Sequence, residues 1–210
     1  MNIKSSALAL LAALSTFVAA TASAGVVAYT SLADFNAATA GNVSHNFEGI
    51  APDDSFVNIF GGVVVDGVNF DSAGNAFVMG ANSGFANWGS AFFSGQLPGN
   101  VIAVSGGTTA IGFFYGSYAD GGNPATATLS SGDIFALTMP VNFGVDLNFI
   151  GFVSDGPALT SVTFDTTART FDITKFITAR AVNTVPEPAS MVLVGTALLG
   201  LGLARRRAAK

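Results

Sequence analysis

Few residues in this chain are equipped for chemistry. Its 210 residues include one histidine, no cysteine, 13 Asp/Glu and 8 Lys/Arg. Without cysteine there is no disulfide framework, thiol nucleophile, Cys-ligated zinc or iron–sulfur cluster. A single histidine excludes a multi-His metal site. His45 stands between Ser44 and Asn46 in a segment that reads as strand. General-base work would need a nucleophile and an orienting acid, and nothing in the sequence sets either beside it. It therefore reads as a partly exposed strand residue. Asp53 and Asp54 follow Pro52 in a loop. Neighbours in an extended segment point in opposite directions, whereas a glycosidase draws two carboxylates about 5–10 Å apart from separate strands. These two read as solvated loop acids, and no catalytic activity is expected.

The aromatic and oxygen-bearing residues suggest binding instead. Trp88 lies in the polar, Gly-punctuated run Asn82–Ser90, and with Tyr115 or Tyr118 it offers rings on which a sugar's C–H face could stack. The competing reading has Trp88 closing one end of the core. The body is rich in Asp and Asn and poor in Lys, which suits the oxygen ligands of Ca²⁺, although no EF-hand loop or nonapeptide repeat is present. Thr126 and Thr128 share a strand face, but one pair is not the flat array that ice binding requires. Residues 25–184 carry 12 acids against 3 bases, a formal charge of −9. Such a body repels nucleic acid, whose binding needs Lys and Arg to displace counterions.

The elements that must position these residues are mostly strands. One short helix is expected after Ser31, which can cap it, with Asp34 three residues on and Leu32 and Phe35 on one face. Beyond it the helical period disappears. Runs rich in Val, Ile, Phe and Thr (43–47, 62–70, 101–104, 108–115, 125–129, 148–153, 160–165 and 169–174) alternate with Gly, Asn, Asp and Pro clusters. Turns are marked at 120–124 and 155–157. In 161–165, Val162 and Phe164 face one way while Ser161, Thr163 and Asp165 face the other. Ile111–Tyr115 carries bulk on both faces, as a central strand does. An all-β fold is expected: a single jelly-roll, lectin-like β-sandwich, with an irregular β-helix as the alternative.

Both ends read as targeting segments. Residues 1–24 combine Lys4, an apolar stretch over Ala7–Ala20 and the small-x-small site Ala22-Ser23-Ala24, the pattern of a signal peptide cleaved by signal peptidase after export through the secretion machinery. At the other end, Val185-Pro186-Glu187-Pro188 precedes the apolar run 189–204 and Arg205-Arg206-Arg207 in the basic tail 205–210. Sixteen helical residues span roughly 24 Å, slightly short of a hydrocarbon core about 30 Å thick, so the arginines would snorkel to the headgroups. They act as a membrane stop that stays cytoplasmic, leaving residues 25–184 outside. The two prolines hold an extended, accessible stretch ahead of this transmembrane helix.

This order of Pro-Glu-Pro, short apolar helix and Arg cluster over residues 185–210 resembles the PEP-CTERM sorting signal. The resemblance implies an exosortase as partner, recognising Pro186, Glu187 and Pro188 and cleaving the tail. It implies an inner-membrane intermediate, then delivery to the cell surface or an extracellular polysaccharide matrix such as a biofilm. The same C-terminal motif occurs in some ice-binding proteins. More weakly, Asn46-Phe47-Glu48 and Phe152–Pro157 followed by Ser161–Phe164 are similar to strands in lectin-like passengers bearing this tail. In such modules a structural calcium joins the first and last strands, and Glu48 and Asp172 occupy the corresponding positions. The sequence thus points to an exported surface or matrix protein, structural or glycan-associating, with a calcium-dependent carbohydrate-binding module as the alternative and an ice-binding protein or glycan hydrolase after it.

Overall fold

The computed structural model describes residues 25–72, 74–96, 100–104 and 108–182. The expected signal peptide (1–24), its Ala22 and Ala24 site, the Pro-Glu-Pro motif, the span over 189–204 and Arg205–Arg207 lie outside the described residues. Among those described, no helix is long and apolar enough to cross a membrane.

Among the described residues, fourteen strands and one helix are formed. The elements run β1 (Val26–Tyr29), α1 (Leu32–Ala38), β2 (Thr39–Asn46), β3 (Phe56–Asn58), β4 (Val63–Val65), β5 (Val68–Ser72), β6 (Ala76–Met79), β7 (Phe92–Gln96), β8 (Asn100–Ala103), β9 (Ala110–Gly116), β10 (Pro124–Leu129), β11 (Ile134–Thr138), β12 (Asn148–Ser154), β13 (Ser161–Thr166) and β14 (Thr170–Ala181). One sheet has the order β1-β12-β9-β14-β7-β6-β3, with β2 also on β14; the second has β11-β10-β13-β8-β5-β4. All twelve strand pairings among the described residues are antiparallel, so this is a two-sheet sandwich and not the parallel coil of a β-helix.

The core is built from phenylalanine. Phe47, Phe70, Phe93, Phe113, Phe152, Phe164, Phe171 and Phe176 are all fully enclosed between the sheets. Edge-to-face contacts such as Phe47–Phe70 and Phe113–Phe164, both with centroids at 4.9 Å, match the ring quadrupoles. Each enclosed ring removes roughly 1.5–3 kcal/mol worth of apolar surface from water, which lets a cysteine-free body close without disulfides.

The alternation expected for β13 holds: Val162 and Phe164 are buried while Ser161, Thr163 and Asp165 face outward. β9 is central, paired with β12 on one side and β14 on the other. The outer face of the first sheet is covered by α1, whose N-cap Ser31 accepts the Asp34 amide. Gly112 and Gly151 supply the seat: a Cβ at Gly112 would come within 3.2 Å of the Phe35 ring, and one at Gly151 would collide with it. Two bare backbone positions on adjacent strands therefore form the dent that receives the helix.

Residues 62–70, read from sequence as a single strand, form a hairpin. Asp66 (φ 48°) and Gly67 (φ 83°) are the two left-handed residues of its turn, between Val65 and its partner Val68. That pair is the composition a two-residue primed turn requires. β14 runs well past the expected Thr174. It pairs with β9 along its length, but on its other edge changes partner from β7 to β2.

Candidate binding groove

Three loops meet beside β14. The β6–β7 loop, the β9–β10 loop and the β11–β12 loop are joined through Gly144, whose amide donates to Ser117 O at 2.7 Å while its carbonyl accepts from the Asn87 amide at 2.7 Å. Gly144 has φ 71°, a conformation a side chain would strain. Gly121 packs so closely on Pro140 and Val141 that a Cβ would meet their carbonyls. Within the β11–β12 loop the Asn142 side chain donates to Asp146 Oδ2 at 2.7 Å.

Between these loops lies an open groove of about 630 Å³, lined by Asn87, Trp88, Thr138, Asp146 and Asn148 with an apolar rim that includes Val141 and Val145. Both rim valines are largely exposed, at 77% and 57%. Trp88 is half-buried, edge-on to Phe92 with centroids 4.7 Å apart. Its indole Nε1–H is buried without a hydrogen-bond partner. Gly116 gives it room, since a Cβ there would stand 3.0 Å from Trp88 Cζ2. One side of the ring thus packs on the fold and the rest lines the groove.

The other two aromatics are not on this platform. Tyr115, expected to contact glycan, is only 4% exposed, because its inward position on β9 stacks it on Phe171; its hydroxyl donates to Thr138 O at 3.3 Å. Burial raises its pKa, offset by the neighbouring Asn148 and Thr138. Tyr118 packs against Phe85 and lines a neighbouring cleft with Gln96 and Arg169.

Asp172 anchors the β9–β10 loop. Its side chain lies on the outer face of β14 and is completely buried. Oδ2 accepts the Tyr118 amide at 2.6 Å and the Thr170 hydroxyl at 3.1 Å. Oδ1 makes no close hydrogen bond, nor does the buried hydroxyl of Ser94, its cross-strand neighbour, although the hydroxyl is near enough to favour the carboxylate. Burial pushes the carboxyl up to about 7 against the lowering effect of Ser94, Tyr118 and Thr170, with the Asp120 charge adding to the rise. Ser117 extends the network, 2.9 Å from Thr170 and 3.3 Å from Asp120.

Glu48, its expected partner around calcium, stands in a different setting: exposed, with Oε1 accepting the Ala91 amide at 3.0 Å. Among the described residues no three His, Cys, Asp or Glu side chains gather in one place. Asp53 and Asp54 are exposed, as read from sequence. Thr126 is exposed and Thr128 half-buried, on the face of β10 turned away from the core.

His45 corrects its sequence reading. It is 3% exposed, because β2 lies on β14 and turns the ring toward Phe176. Nε2 is 2.9 Å from Thr178 Oγ1, and Nδ1 is 3.6 Å from Asp66 Oδ2. Sequence separation hid both neighbours. At 3.6 Å the carboxylate is an ion-pair neighbour of the ring, just beyond ordinary hydrogen-bond range. Asp66 is itself 68% solvent-exposed. The trio ties the first sheet to the β4–β5 turn of the second. Burial lowers the His45 pKa, partly countered by the Asp66 charge.

Comparison with known proteins gives one match and one blank. Residues 184–207 match the PEP-CTERM protein-sorting motif. No curated protein matches the chain.

Proposed function

We propose that this chain, which carries a PEP-CTERM sorting motif and is thereby an exported protein sorted by an exosortase to the cell surface, delivers a non-catalytic glycan-associating domain to the extracellular polysaccharide. The observation that carries the domain's role is the Trp88 groove. It joins an aromatic wall, side-chain amides of Asn87 and Asn148 and an apolar rim in one open trough. Sugars present apolar C–H faces beside hydroxyl edges, and this pairing of surfaces complements both. The three-loop junction at Gly144 supports it, because grooves on cross-linked loops keep their shape before a ligand arrives.

The address and the cargo are tested separately. Replacing Pro186, Glu187 and Pro188 with alanine should leave export intact and block release; release at the normal rate would refute exosortase recognition at these residues. The full chain should be retained on its host's extracellular polysaccharide and lose that retention on Trp88→Ala. Running the same columns with added Ca²⁺ and with chelator tests the lectin-like alternative, in which retention depends on the cation. Retention unaffected by Trp88→Ala would place any contact elsewhere than this groove.

A further inference from the structure

We propose that the groove selects uncharged glycan chains and rejects polyuronates, an inference that rests on reading it as a glycan site. Among the described residues the only ionisable side chain lining it is Asp146, and no Lys or Arg lines it. The three bases of the body are placed elsewhere. Arg169 reaches Ala119 O from the neighbouring cleft, Lys175 lies opposite Asn46 within β14, and Arg180 lines a separate groove with Thr178. A uronate entering the Trp88 groove would set its carboxylate near Asp146 with no counter-charge, in a body of formal charge −9. Stacking on Trp88 does not offset this, because the ring face carries a negative quadrupole potential.

A neutral sugar meets no such penalty. Its hydroxyls can donate to the Asp146 carboxylate and exchange hydrogen bonds with the Asn87 and Asn148 amides. Charge, more than shape, therefore separates two polymers of the same backbone. At low ionic strength each uronate held about 7 Å from Asp146 weakens binding about threefold, taking the dielectric of water. Two in the groove give about tenfold.

Three matched pairs of immobilised polymers test this: dextran against carboxymethyl-dextran, hydroxyethylcellulose against carboxymethylcellulose, and methyl-esterified polygalacturonate against polygalacturonate. The full chain, held in a detergent without a sugar headgroup, is applied at 10 mM and 150 mM salt. The expected result is about tenfold weaker binding of the acidic member at 10 mM. The gap should narrow as salt shortens the screening length from about 30 to about 8 Å. Asp146→Asn should raise the acidic-to-neutral affinity ratio about tenfold at low salt, since its charge supplies both increments. Equal or tighter binding of the acidic members at 10 mM, alongside Trp88-dependent binding of a neutral one, overturns the selection and leaves the groove reading standing. If no neutral polymer binds, or binding survives Trp88→Ala, the groove reading itself falls and the selection with it.

Discussion

Replacing Asp172 with asparagine should make the protein more stable at pH 8 and change it little at pH 4. The carboxyl's pKa rises from 3.8 to about 7, chiefly through burial. A shift near three units corresponds to about 4 kcal/mol between the two protonation states. The native state holds the proton that the unfolded chain releases. Stability from this group is therefore complete below the unfolded pKa, declines as pH rises from about 4 to about 7, and stays low above. Asparagine copies the neutral acid. Its oxygen keeps the Tyr118 and Thr170 donors, and its amide can donate to the Ser94 hydroxyl. Allowing for relaxation around the ionised acid, the gain at pH 8 is on the order of 2–4 kcal/mol. For a domain of this size that is about 4–16 °C in Tm. Denaturant titrations of the full chain at pH 4.5, 6 and 8 provide the comparison, read by the fluorescence of its one tryptophan. A difference between variant and wild type that does not change with pH, or an asparagine variant less stable at pH 8, would show that the Tyr118 amide and the hydroxyls hold the carboxylate ionised.

Two further outcomes test the frame around the groove. Gly151→Ala should destabilise by about 1–3 kcal/mol in urea titrations, because its methyl group collides with the Phe35 ring. Adding Phe35→Ala should then cost less than it does alone; simple additivity of the two would mean the ring is not seated on Gly151. Burial lowers the His45 pKa, so its contribution is present above the ordinary pKa of 6.5 and lost as pH falls below it. His45→Gln should remove that part of the acid dependence, seen as a smaller fall in Tm between pH 7 and pH 5. An unchanged fall would mean the ring titrates as freely as in the unfolded chain.

Much of the frame was legible because it is local. The Ser31 cap, the alternation of β13 and the doubly covered β9 each follow from spacing within a few residues. The misses have two physical sources. Short strands such as β3 and β7 carry no period of their own, and they exist because neighbours present unpaired backbone to them. The groove was legible only as one aromatic in a polar loop. Its other walls, Thr138 and Asp146–Asn148, come from the β11–β12 loop and the strand ends that flank it, about 50–60 residues on, and nothing local marks their approach. Tyr115 was misjudged for a related reason: its amphipathic character says nothing about which face of β9 looks inward. Asp172 looked like a ligand because of where it sits along the chain, whereas its burial depends on a loop that folds over it from β9.

The partner change along β14 also bears on the order in which this protein can fold. That strand contacts β9, β7 and β2, so the centre of the first sheet is missing until residues 170–181 are available. β2 and the stretch of β14 it meets are about 130 residues apart, and β1 closes on β12 over a similar distance. Pairings of such long range form slowly, because the chain must be closed into a loop before any contact compensates. A polypeptide that appears from its N-terminus therefore has no complete first sheet until nearly all of residues 25–181 have appeared, and the strand that joins its two halves is the last to arrive.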